Sequence, residues 1–205
     1  MNAPYLVEES SLVQLAPNLE NLVKSLPNNA TQNDYLITVV IVVLAETGFF
    51  IPSDNDQERC SIKSLRIPQN WKSVDGIYRI TFQYNIGRDF TCKLVAIPIG
   101  DKVILNFSSQ SLRCLVSQTL KYINPHSSEI SGKFWNLKEF SFRLKNEVLT
   151  PLRVELLTTF GLPSPSLFGL PEEVKVYILR MLDSKSKRNL FLCCPHFSDI
   201  SSRRR

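Results

Sequence analysis

Apolar residues recur at helical spacing near the start of the chain. In "SSLVQLAPNLENLVKSL", Leu12, Leu15, Leu19, Leu22, Val23 and Leu26 stand three and four apart. That period marks an amphipathic helix, bent or broken at Pro17. After the polar loop "PNNATQND" comes the long apolar run "DYLITVVIVVLAETGFFIP". Its β-branched residues favour a strand. Against that, Asn33 or Asp34 offers an N-cap, Gly48 stands where a C′ glycine would, and the run is longer than an ordinary strand. The reading is a helix from Asp34 to Thr47, apolar nearly all round and therefore covered on most sides.

The period then falls to two. "GIYRITFQY" sets Ile77, Arg79, Thr81 and Gln83 against Tyr78, Ile80, Phe82 and Tyr84, the alternation of a half-buried strand. "NIGRD" is a turn, "FTCKLVAIPIG" a second strand, "DK" a hairpin turn and "VILNFSS" a third strand, which together make an antiparallel meander. "LRCLVSQTLKYI" reads as a fourth strand. "CSIKSLRIPQNW" offers a short one, confined to an edge by Pro68. In "KLVAIPIG", Val95, Ile97 and Ile99 share one side and Leu94 and Ala96 the other. Both sides are apolar. Either helices cover both faces, or one face is an interface.

Helical spacing returns in "SGKFWNLKEFSFRLKNEVLTPLRVELLTTFGLP". Ser131 is a candidate cap, and Phe134, Leu137, Phe140, Leu144, Val148 and Leu152 form a stripe. Pro151 should kink or split the helix, and Gly161 and Pro163 should end it. Residues 1–163 thus read as an α+β domain, an antiparallel sheet flanked by helices. A linker, "SPSLFG", leads into a small all-α unit over 164–205. There Pro171, with Glu172 and Glu173 behind it, suits a helix N-terminus. Leu170, Val174, Tyr177 or Ile178, and Met181 or Leu182 form its apolar stripe. Asp183 or Ser184 caps a second helix, on which Leu190, Phe191, Cys194 and Phe197 make another stripe. So short a unit must lean on its own domain or on a partner.

Charge sharpens that boundary. The chain carries a net +5, and its stretch from Ser166 to Arg205 has eight Lys or Arg against four acidic residues. The cationic end lacks the interleaved aromatics that read bases, which argues against a nucleic-acid partner. The five cysteines form no C-x-x-C pair and read as reduced thiols. "MNAPYLVEES" has no signal-peptide character, and "YLITVVIVVLA" is about half a membrane span, so no membrane association is expected. The expected location is the cytoplasm or the nucleus. His126 and His196 read as surface residues. Cys193, Cys194 and His196 lack a fourth ligand for zinc, and the seven glycines form no phosphate-binding loop. No metal, cofactor or catalytic constellation emerges, and the expectation is a non-enzymatic protein.

The terminal stretch "LPEEVKVYILRMLD…L.LCC..F" resembles an F-box, although Lys187 and Arg188 stand where that family carries apolar residues. The resemblance implies that Leu170, Pro171, Val174, Ile178, Leu179, Leu182, Leu190, Cys194 and Phe197 bind the Skp adaptor and so reach the cullin scaffold of a ubiquitin ligase. "LITVVIVVLAETGFFIP", "LRIPQNWKSVDGIYRITFQY", "CKLVAIPIGDKVILN" and "FRLKNEVLTPLRVELL" are similar to the FP domain, shared by certain F-box proteins and the proteasome-inhibitor regulators. That likeness implies an FP fold which homodimerises or pairs with the FP domain of such a regulator. Its expected interface is Lys93, Val95, Ile97, Ile99, Val103 and Leu105. The implied function is a ligase adaptor that also modulates the proteasome. The alternative is a proteasome-regulatory binding protein outside any ligase, stabilising its FP-domain partner.

Overall fold

The computed structural model describes residues 4–52, 65–85, 89–162, 167, 170–194 and 197–198. The chain divides into two compact units, Met1–Leu152 and Arg153–Arg205. In the first, a 3-10 turn at Val7–Glu9 leads to α1, Pro17–Lys24. Pro17 occupies the first turn of α1 rather than bending a longer helix, because its missing N–H costs nothing there. Leu15, Leu19, Leu22 and Val23 are buried, while Leu12, outside the helix, is exposed.

Helix α2 spans Gln32–Glu46, and every residue from Leu36 to Ala45 is buried. The cap is Thr31, not Asn33 or Asp34. Asp34 instead completes a capping box, accepting from the Thr31 N–H at 2.6 Å. The helix stops at Thr47, and Gly48 follows with φ +90, a left-handed conformation in which a side chain is strained. These end signals outweigh the β-branched composition. Around α2 pack α1, the later helix α3 (Leu137–Leu144) and the 3-10 turns at Val7–Glu9 and Thr119–Lys121.

The sheet has five antiparallel strands in sequence order: β1 Phe49–Phe50, β2 Tyr78–Asn85, β3 Asp89–Ile99, β4 Lys102–Ser108 and β5 Leu112–Gln118. The meander is as expected. The edge strand differs. Phe49–Phe50 pairs with β2, whereas residues 65–71 form no strand, and Lys72 makes one isolated bridge to Tyr78. The rest of "CSIKSLRIPQNW", like the centre of the "NIGRD" turn, lies outside the described residues. One sheet face is buried: Tyr78, Ile80, Phe82, Leu94, Ala96, Leu105, Phe107 and Leu115 are almost fully enclosed.

Ser131 does not cap a helix; it opens a 3-10 turn, and Phe134 is extended and bridges Ile123. Helix α3 starts after Asn136, whose φ of 51 is left-handed. It continues as a π-helical turn, Lys145–Leu149, in which the Thr150 N–H donates to the carbonyl of Lys145, five residues back. Helix α4, Thr150–Thr159, then follows. Pro151, lacking an N–H and crowding the carbonyl four residues before it, explains a wider turn at this place. Gly161, φ +65, follows the end of α4.

Two ionic clusters tie the first unit together. Lys72 Nζ lies 2.9 Å from both oxygens of the buried Asp34 carboxylate, which also accepts from Tyr78 Oη at 2.7 Å. Burial alone would raise the Asp34 carboxyl. Hydrogen bonds from Lys72, Thr31 and Tyr78 outweigh it and hold the group below its usual range. At the far end of α2, Lys145 bridges Glu8 at 2.7 Å and Glu46 at 3.0 Å, and Glu46 accepts from the Val7 N–H. The two carboxylates push the Lys145 ammonium up despite its burial.

Candidate interaction surfaces

The uncovered sheet face is set by one turn. Ile99 pairs with Lys102 across the two-residue turn Gly100–Asp101, with Gly100 at φ +60. From there Ile97 faces Ile104 and Val95 faces Asn106. Partners directly opposite one another share a face. Odd-numbered residues of β3 therefore share a side with even-numbered residues of β4. Lys93, Val95, Ile97 and Ile99 do lie together on the open face. Val103 and Leu105 do not: both are fully buried on the other side, among the core residues. Their place on the open face is taken by Ile104, and β5 adds Leu112 and Val116, which the sequence reading missed. Ile97, Ile104 and Val116 form an apolar row across three strands. Val116 is 47% exposed and Ile99, beside the row, 57%, while Ile97 and Ile104 are half-buried.

The second unit offers a different surface. Helix α5, Glu172–Met181, begins at Pro171, and α6, Ser184–Cys193, begins at Asp183, whose carboxylate accepts from the Ser186 N–H at 2.6 Å. Acidic Glu172 and Glu173 in the first turn and Arg180 in the last suit the dipole of α5. The unit's own core is small: Leu179 and Phe197 are buried, with Val176, Leu190, Phe191 and Cys194 packed against them. Four of the nine expected adaptor contacts, Leu179, Leu190, Cys194 and Phe197, thus serve internal packing. Leu170, Ile178 and Leu182 are half-buried, and Pro171 and Val174 are exposed.

At about 100° per residue, Val174, Tyr177 and Met181 fall on one stripe, opposite Val176 and Leu179. Tyr177 is 63% and Met181 71% exposed. Of the alternatives the pattern left open, Tyr177 and Met181 therefore face outward, while Ile178 and Leu182 lie nearer the interior. Helix α6 buries none of its residues; Lys187 is half-buried and Arg188 exposed.

Among the described residues no cluster of His, Cys, Asp or Glu is arranged to hold a metal ion. Cys193 is exposed and Cys194 half-buried, and His196 and Cys60 lie outside the described residues. No described helix is long and apolar enough to cross a membrane.

No protein-family model matches the chain. Curated proteins do. F-box only protein 7 of Homo sapiens is 26% identical over 202 residues, covering 93% of this chain and 37% of that protein. F-box only protein 7 of Bos taurus is 27% identical with the same coverage. Protein nutcracker of Drosophila melanogaster is 30% identical over 108 residues, 48% of this chain and 34% of its own length. The chain thus spans little more than a third of the length of these relatives. Its open-faced α+β unit and its terminal helical pair are parts of one alignment, and in sequence the chain resembles F-box only protein 7 along nearly its whole length.

Proposed function

We propose that the chain is a non-catalytic adaptor of a Skp–cullin–F-box type of ubiquitin ligase. The terminal helices dock on the Skp adaptor and through it on the cullin scaffold. The open sheet face pairs with an FP-type domain, that of a proteasome-inhibitor-type regulator or of a second chain, and so modulates the proteasome. The single observation carrying this reading is the alignment to F-box only protein 7 across 93% of the chain. The geometry adds a reason. Helix α5 is apolar on two opposed sides, and its own unit uses only one of them. Exposed aromatic and methionine side chains on a rigid helix are the residue types that anchor interfaces. Leu179 and Phe197 support this surface from within.

Titration of the whole chain with purified Skp adaptor tests the reading. Tyr177→Ser with Met181→Ser should weaken binding at least about tenfold, the order expected on losing two interface anchors. No binding by the wild-type chain would refute it. The polar character of α6, with Lys185, Lys187 and Arg188, favours a second reading, a proteasome-regulatory binding protein outside any ligase. That reading requires the FP-type regulator to co-purify with the chain without cullin.

A further inference from the structure

Helix α6 runs against the ordinary preference of helices for charge. Over Ser184–Cys193 it carries Lys185, Lys187 and Arg188, all in its first half, and no acidic residue. Cations there oppose the helix dipole, which favours them at the other end. Packing offsets little of this, since α6 buries none of its residues. At about 100° per residue the helix has two sides. Leu190, Phe191 and Cys194 turn towards Leu179 and Phe197. Lys187 falls on that side and is half-buried. It also lends its charge to the capping Asp183, whose carboxyl is held low, chiefly by hydrogen bonds from Ser186. Lys185, Arg188 and Leu192 fall together on the other side, at i, i+3 and i+7. Both of these cations are exposed, and neither has an ion-pair partner among the described residues. Leu192 is 77% exposed.

Resting on the reading of the terminal helices as an adaptor-docking unit, we propose that the Lys185–Arg188–Leu192 row is part of the contact. The adaptor surface that meets it is acidic, with an apolar recess for Leu192. A feature that opposes its own helix and is not offset by packing points to a role outside that helix. Cations without an internal counter-charge select carboxylates across an interface and repel a basic partner. Leu192 in the same row favours a polypeptide over a phosphate backbone, which has no apolar recess to seat it. The polarity of α6 that counts against an apolar adaptor contact thus fits an acidic one. Tyr177 and Met181 of α5 supply adhesion, and α6 supplies charge. Exposed charges of this kind act chiefly on the rate of encounter and its salt dependence. Their reach at about 0.1 M salt, roughly 10 Å, is comparable with the length of a ten-residue helix, about 15 Å.

The test is stopped-flow association of the whole chain with purified Skp adaptor at about 0.1 M and about 1 M salt, between which the screening length falls from roughly 10 Å to roughly 3 Å. The wild type should associate about tenfold faster at low salt. Lys185→Glu with Arg188→Glu should slow association at low salt at least about tenfold and remove the advantage of low salt. Leu192→Ser should instead speed dissociation about tenfold and leave association unchanged. Glutamate early in α6 suits the dipole, so the charge-reversed variant keeps its helix, which circular dichroism checks. If the wild type does not bind the adaptor, both readings fall. If it binds, and neither salt nor charge reversal alters the association rate, the adaptor reading stands and the acidic contact is wrong. Capture of duplex DNA at low salt by the wild type and not by the glutamate variant, with adaptor association the same for both, would assign α6 to phosphates and overturn the proposal.

Discussion

Two neighbouring residues of β4 provide a sharp test of the register. Ile104 lies on the open face, and Leu105, one position on, is wholly enclosed. Threonine is β-branched and suits a strand at either position, so changing each in turn to threonine isolates the face. At Leu105 the change removes two buried carbons, about 1.6 kcal/mol at roughly 0.8 kcal/mol each. It also encloses a hydroxyl without an assured partner, which adds about 1–3 kcal/mol. The expected loss is about 3–4 kcal/mol, upwards of a hundredfold in the folding equilibrium. At Ile104 the new hydroxyl reaches water and the loss should stay below about 1 kcal/mol. Urea unfolding followed by tryptophan fluorescence is the assay. Both tryptophans, Trp71 and Trp135, lie in the Met1–Leu152 unit, so the signal reports that unit alone. Equal losses, or a larger one at Ile104, would mean that the pairing of Ile97 with Ile104 is wrong, and the docking face would go with it.

Asp34→Asn should destabilise the same unit by about 3 kcal/mol, because it leaves the Lys72 ammonium without its counter-charge while keeping the cap; a change below about 1 kcal/mol in urea unfolding would show that the cluster is dispensable. Since the folded Asp34 carboxyl is held below its usual range, its stabilising contribution is complete above the unfolded value of about 3.9 and is lost as pH falls through the lower folded value. Stability of the wild type should therefore drop more than that of Asp34→Asn below about pH 4, and parallel curves would contradict the assignment. Lys145 has the opposite sign: its folded value is raised, so its contribution is complete below about 10.4 and is lost on going more alkaline. Lys145→Met should flatten the alkaline limb of the stability curve, and an unchanged limb would place that loss elsewhere.

The helix over Leu36–Ala45 was legible because its end signals, a capping position and Gly48, contradict strand composition more strongly than β-branching supports it. The meander was legible because period two and short turns leave little choice. What escaped was phase. Assigning Val103 and Leu105 to the same side as Val95 and Ile97 carries odd numbering across a two-residue turn, where parity inverts. The pairing of Ile99 with Lys102 reverses it, and a hydrophobic pattern alone cannot reveal this when both faces of β3 are apolar. The terminal unit carries a related ambiguity. In a unit as small as the terminal one, Leu179 and Phe197 look like binding residues until a core is needed. Tyr177 and Met181 were visible only as alternatives. Phe49–Phe50 was missed because two residues are too few to show a period.

The π-helical turn at Lys145–Leu149 has a bearing on how the chain tolerates change in length. Phe140, Leu144, Val148 and Leu152 are all buried, and they repeat at intervals of four. On a regular α-helix that interval gains about 40° at every step, so the stripe would wind away from the sheet over three steps. The wider turn absorbs the accumulated angle in one place, like a leap day in a calendar whose year is not a whole number of days. Removing one exposed residue from it, Glu147 for instance, would leave Phe140 and Leu152 eleven positions apart, about 20° out of line on a regular α-helix, so the shortened helix can wind uniformly and still turn both residues to the core. At the present length it is the wider turn that keeps the two ends of the rod facing the same way.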